Sequence, residues 1–377
     1  MKKSIMGIAV SAVLTVATAV NAAPVKVGMI TTLSGGGSHL GIDVRDGFLL
    51  ATELANSDME IIIRDDARKP DVAKSLANEL IQKDKVDILT GIIWSNLAMA
   101  VVPSAVRGGT FYLSPNAGPS ALAGKVCHKN YFNVAWQNNN LHEAMGHYMK
   151  QEGLKAPFIL APNYPAGTDA LTGFKSRFGD PKGELFTKLG QKDYAAEISQ
   201  IRASKADSVF FFLPGGMGIA FMKQYANSGL DLPVFGPAFS FDEIILGAVG
   251  DAAIGVKNTS QWAYDLDNAA NAKFVKAFRN KYGRTPTLYA SQGYDTANLI
   301  LSALKKTEPS DPDAFRSALK SADFESVRGS FKFGSNHHPI QTIYVREVVA
   351  GDGKPTNKLL GIAIADLQDA YASECSL

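Results

Sequence analysis

VDILTGIIWSNLAMAVVPSAVRGGTFYLSPN, residues 86–116, reads as strand, helix, strand. Residues 86–93 are mostly apolar and rich in β-branched side chains, as a strand covered on both faces requires. Residues 97–106 place apolar side chains at helical spacing, and 111–113 form a second short apolar run. A parallel sheet with helices on its faces is built from this unit. Working outward, residues 25–30 and 60–64 read as strands, and 39–56 and 71–83 as helices. The alternation then restarts. Helices are expected at 141–151, 168–177, 194–203 and 218–227, with strands at 158–161, 184–188, 208–213 and 233–236. Two successive runs of this kind predict two doubly wound sheets side by side.

The last third breaks the alternation. Residues 270–282, 289–304 and 312–321 look helical, and 329–333, 341–348 and 359–364 read as strands. They are expected to return and complete both halves. The expected fold class is α/β, with two Rossmann-like lobes of parallel sheet joined by three hinge crossovers. The expected lobes are 24–136 plus 263–333 and 137–262 plus 334–377.

The amino end reads as an export signal. Lys2 and Lys3 precede an apolar run, residues 5–20, and Ala22 and Ala23 follow as small cleavage-site residues. Cleavage is expected after Ala22, with Ala23 as the alternative, and removal of 1–22 leaves 36 basic against 36 acidic residues. No later stretch reaches the run of about 18 apolar residues that a membrane span needs. A balanced surface without basic runs argues against nucleic acid, which is bound by neutralising phosphates. Cys127 and Cys375 are an even pair, read as a disulfide in an oxidising compartment. Two unpaired thiols are the alternative.

The candidate ligand groups sit where strands end. Gly35-Gly36-Gly37 follows the first strand, with His39 at its edge. No Gly-Lys-[Ser/Thr] follows, so it is not a phosphate loop. It is either a flexible turn or a ligand-facing loop at the carboxyl end of a strand. Trp94-Ser95-Asn96 joins a strand to a helix. Ser95 or Asn96 is a natural helix cap, and free backbone N–H groups there favour a carboxylate. Ser114-Pro115-Asn116-Ala117-Gly118 crowds donors onto the next strand end. Ser114, Asn116, Ala117 and Gly118 form that second cluster. The far wall is expected from Tyr164 in 163–167, Gly215 in 213–217 and Phe239 in 235–241, three segments that are aromatic, glycine-rich and almost uncharged. Such a wall suits an apolar ligand with few polar groups. His142 and His147 lie about 140° apart on a helix and cannot share a metal ion. His337-His338 reads as part of a polar loop. No metal, cofactor or catalytic constellation is expected.

In order and spacing, several segments resemble the periplasmic binding proteins of type I fold, in the branched-chain amino acid transporter class. They are Val25-Lys26-Val27-Gly28 with Leu33-Ser34-Gly35, Arg64-Asp65-Asp66, the 91–96 segment and Ser114-Pro115-Asn116-Ala117. Residues 163–169, Phe235-Gly236-Pro237 and 289–295, which contains Gln292 as a further candidate, continue the match. The resemblance implies a monomer in the periplasm. It would close on a small molecule and dock on the permease of an ATP-driven importer. It implies that Ser95 and the 116–118 turn hold a ligand carboxylate. Amino-acid-binding relatives hold the ammonium with an acid after the Gly-Pro, and here Ala238 and Phe239 follow. Ala166 stands where a Tyr is usual. A ligand ammonium buried without an acceptor is costly. The resemblance therefore points to the branch that takes benzoate-like and cinnamate-like acids. An aliphatic amino acid or amide is the alternative, with Asp242 or Glu243 as acceptor.

Overall fold

The computed structural model describes residues 23–377, and the expected export signal at 1–22 lies outside them. Among the described residues no helix is long and apolar enough to cross a membrane. The first sheet contains β1 (Lys26–Thr31), β2 (Glu60–Asp65), β3 (Ile88–Thr90), β4 (Phe111–Ser114) and β5 (Tyr131–Asn133). Its order is β2-β1-β3-β4-β5, with every pair parallel. Helices α1 (Ser38–Leu54), α2 (Pro70–Gln82), α3 (Ser95–Arg107) and the short α4 (Ser120–Ala123) connect the strands. Ile88, Leu89, Phe111, Tyr112 and Leu113 are buried, as strands covered on both faces must be. The strand expected over 86–93 is only three residues long. Gly91, at φ +105°, turns the chain out of the sheet where an added Cβ would lie 2.6 Å from the Ile30 carbonyl oxygen. β5 was not foreseen, because three residues give no periodicity to read.

The second sheet begins with β6 (Pro157–Pro162), β7 (Gly183–Thr187), β8 (Ser208–Phe211), β9 (Val234–Pro237) and β10 (Lys257–Ser260), all parallel. The antiparallel β11 (Phe331–Phe333), β12 (Pro339–Val349) and β13 (Thr356–Leu367) complete it. The order is β11-β12-β10-β9-β8-β6-β7, with β13 on β12. α5 (Asn140–Gln151), α6 (Pro165–Phe178), α7 (Ala195–Ser204), α8 (Gly216–Ala226) and α9 (Glu243–Val249) belong to this lobe. β10 also escaped the sequence reading. Its Asn258, Thr259 and Ser260 are polar yet fully buried. Their partners come from far along the chain: Asn258 Oδ1 accepts from Arg346 Nε and Nη2 at 2.9 and 2.7 Å, and Thr259 Oγ1 donates to the Leu141 carbonyl at 2.7 Å.

α10 (Ala269–Tyr282), α11 (Leu288–Leu304) and α12 (Pro312–Ser321) return to the first lobe. α11 lies against α1 at backbone distance. A Cβ on Gly47 would stand 1.9 Å from the Ala290 carbonyl oxygen, and one on Gly293 2.0 Å from that of Val44. The chain thus crosses between lobes after β5, after β10 and before β11. Residues 331–333, expected with the first lobe, pair with β12 of the second sheet instead, because β11 follows the last crossing. Buried Arg328 ties the first and third crossings together. It pairs with Asp295 at 3.0 Å and donates to the Ala135 carbonyl at 3.0 Å and Gln341 Oε1 at 2.8 Å.

Cys127 and Cys375 are bridged, with Cα atoms 5.8 Å apart, so the tail is fastened to the body. His337 and His338 are not in an open polar loop. Both are buried, His337 stacked on Phe132 at 4.1 Å and His338 tilted against Tyr131 at 5.6 Å.

Candidate functional site

Each sheet reverses its winding at one point, between β1 and β3 in the first and between β6 and β8 in the second. Loops leaving such a point open a crevice at the carboxyl ends of the strands. Here the two crevices face each other and enclose a cavity, whose empty volume with its mouth is about 380 Å³.

Six rings line it: Trp94, Trp136, Tyr164, Phe212, Phe239 and Tyr289. Trp94 ends the β3 loop, Tyr164 follows β6, and Phe212 and Phe239 follow β8 and β9. The rings support one another: Trp136 meets Phe239 edge-on at 4.3 Å, and Phe239 meets Phe212 at 5.4 Å. Leu40, Ile93, Ala166 and Pro214 fill the gaps. Among the described residues no Asp, Glu, Lys or Arg contributes to the lining.

The polar lining is Ser95, Asn116, Asn138 and His142. Ser95 is not the helix cap. Trp94 holds that position in an extended conformation without a side-chain cap bond, and Ser95 is the first residue of α3. The amides of Ser95, Asn96 and Leu97 precede the first helical hydrogen bond, from Ala98 N–H to the Trp94 carbonyl at 2.9 Å. Such amides and the helix dipole attract an anion. Ser95 Oγ accepts from Asn138 Nδ2 at 3.1 Å, which leaves its own proton free to donate. Asn116 Nδ2 donates to Gln292 Oε1 at 2.9 Å, fixing the amide at the wall. Burial pushes His142 down to about 3, so its imidazole is neutral. Burial pushes the Tyr164 and Tyr289 phenols up, and both keep their protons.

The other expected residues lie outside the lining. Ser114 Oγ donates to the Ala117 carbonyl at 2.6 Å, and that oxygen also receives Tyr131 Oη and Asn133 Nδ2. This turn closes on itself. Gly118 N–H is occupied by Asn138 Oδ1 at 3.2 Å. Asn96 is in the first turn of α3 but does not reach the cavity. Gln292 stands behind Asn116. His39 and Gly215 meet across the lobes, where a Cβ on Gly215 would be 3.6 Å from His39 Cε1. Asp242 caps α9 by accepting from the Ile244 and Ile245 amides, and Glu243 binds Thr356 and Asn357. Neither acid lines the cavity. Trp136, Asn138, His142, Phe212 and Tyr289 were not picked out as ligand residues. Phe212 had a signal, as the last ring of an apolar strand run. Trp136 and Asn138 lie in a crossing segment that has no periodicity.

The lobes are held together beside the cavity. Asp169 of α6 accepts from Ser120 N–H at 3.0 Å, Ser120 Oγ at 2.7 Å and Asn138 Nδ2 at 2.9 Å. Among the described residues no cluster of three His, Cys, Asp or Glu could hold a metal ion.

Comparison with known proteins agrees with this architecture. A solute-binding protein of an ABC transporter from R. palustris, crystallised with benzoate, superposes with a TM-score of 0.89 at 31% identity, covering 94% of this chain and 100% of that one. A second from R. palustris, crystallised with 4-hydroxybenzoate, gives 0.86 at 27%, covering 91% and 98%. The Leu/Ile/Val-binding protein homolog 6 of Brucella melitensis is 30% identical over 91% of this chain and 92% of its own length. The family model described as periplasmic binding protein matches residues 24–354, so the chain belongs to the periplasmic binding protein family.

Proposed function

We propose that this chain is an exported solute-binding protein of an ABC importer that captures a small aromatic carboxylic acid between its lobes. The observation that carries this reading is a cavity walled by six rings and bare of charged side chains, with Ser95 and the start of α3 at one side. The rings enclose an aromatic body. The Ser95 hydroxyl and the open amides of α3 meet its carboxylate, where the helix dipole adds to the attraction. An amino acid would bring an ammonium group into the same space and find no anionic partner there. The benzoate- and hydroxybenzoate-bound relatives, at 31% and 27% identity, support the ligand class.

In this reading the protein works as a monomer in the periplasm, uses no cofactor and leaves its ligand chemically unchanged. Closure buries the acid, and the closed form docks on the permease. Thermal-shift and calorimetric titration with benzoate, hydroxybenzoate, cinnamate, leucine and valine test it. A higher Tm with the aryl acids and none with leucine or valine is expected. A response to leucine alone would overturn the ligand class.

A further inference from the structure

Against the cavity, sharing two of its walls, lies a second compartment, about 680 Å³ with its open side included. Trp94 and Pro214 are walls of both spaces. Met217, Ile219 and Ala220 make one side apolar, and Gly36, Gly37 and Gly190 leave another side without side chains. The charged members are Arg68 and Lys192.

Arg68 is held in place at a cost in backbone strain. Ala67 and Arg68 both have positive φ, +47° and +60°, a conformation unfavourable for consecutive non-glycine residues. Asp65 and Asp66 stabilise the turn by accepting the Ala67 and Arg68 amides at 2.9 and 2.8 Å. The guanidinium rests 4.1 Å over the Trp94 ring. That ring is itself fixed: its Nε1 donates to Thr32 Oγ1 at 3.0 Å, and Thr32 donates to Asp66 at 2.7 Å. Arg68 also reaches the second lobe, where a Cβ on Gly190 would lie 3.9 Å from its Nη2.

Among the described residues this guanidinium forms no ion pair and donates no hydrogen bond. Burial works against its charge, and no carboxylate offsets that effect. The acids beside Lys192 are engaged elsewhere, Asp193 with the Ala195 amide and Glu197 with Gln191. A half-buried, always-charged fork without an anion, strained into position next to a ligand cavity, lacks a partner that the ligand can supply.

We infer that this compartment is a second anion subsite, and that the ligand it completes is an aromatic diacid, an aryl acid with another acidic group on the far side of its ring. The inference rests on the aryl-acid reading of the main cavity. Calorimetry with benzoate, terephthalate and the longer para-carboxycinnamate tests it on the wild type, Arg68→Gln and Arg68→Lys. Thermal melting of the free proteins checks that the variants fold. One of the diacids is expected to bind the wild type at least about tenfold more tightly than benzoate. Arg68→Gln removes that margin and leaves benzoate within about twofold, while Arg68→Lys keeps part of it. Benzoate binding without a diacid margin would overturn the subsite alone. Equal weakening of benzoate and diacid by Arg68→Gln would also overturn it, and would make Arg68 a partner of the first carboxylate. Failure of every aryl acid to bind would overturn both readings.

Discussion

Replacing Asp169 by alanine should weaken ligand binding although its side chain does not line the cavity. Asp169 is buried, does not line the cavity, and joins α6 of the second lobe to Ser120 of the first through two hydrogen bonds of 3.0 and 2.7 Å. Its third bond goes to Asn138, which also holds Ser95 and Gly118. These contacts exist only while the lobes are together, so their energy belongs to the closed state. A hydrogen bond to an ionised group is worth about 1.5–3 kcal/mol net. Some of this is regained as water when the lobes part, so two bonds spanning the lobes give about 3 kcal/mol. That predicts an affinity loss of about a hundredfold. The mechanism is a smaller closed fraction, which lowers apparent affinity in proportion. Asp169→Asn should be far milder. Its amide oxygen can keep the Ser120 N–H and Asn138 bonds, while its amide group donates to Ser120 Oγ, which accepts as readily as it donates. Calorimetric titration with the tightest aryl acid measures the loss, and small-angle scattering measures the open fraction. Binding of Asp169→Ala within about twofold of wild type would refute the claim that this link holds the lobes closed.

Three other outcomes are expected. Burial pushes Asp242 up to about 7, well above its value in an unfolded chain, so the folded state favours the proton and wild-type stability falls as pH rises from about 4 to 7. Asp242→Asn keeps the cap bonds, so it should raise Tm at pH 8 and match the wild type near pH 4, and no gain at pH 8 would count against this. Gly293→Ala should cost about 2–3 kcal/mol in urea denaturation, because the new methyl would lie against the Val44 carbonyl oxygen and force α1 and α11 apart. Reducing the Cys127–Cys375 bridge should lower stability by about 2–4 kcal/mol and expose the last residues to carboxypeptidase, and an unchanged melt would show that the tail holds without it.

Much of this protein was legible in the sequence. The alternation of apolar runs and helical spacing around residues 86–116 gave the α/β class and two lobes, because both periods are local and repeat often enough to be read. Trp94, Ser95, Asn116, Tyr164 and Phe239 were marked by their places at strand ends, and all five line the cavity. The missing acid after Gly236-Pro237 was visible as plain residue identity. Tertiary structure alone decided which donors remain free. Gly118 and Ser114 looked as available as Ser95, but Asn138 and Ala117 occupy them. It also decided that β10 is a buried strand, since Asn258 and Thr259 find their partners 88 and 118 residues away. Trp136, Asn138 and His142 entered the wall in the same way, from the first crossing and the helix after it. Polar residues and crossing segments carry no hydrophobic period. Their environment is set by partners distant in the chain, and only the folded arrangement brings those partners within hydrogen-bond reach.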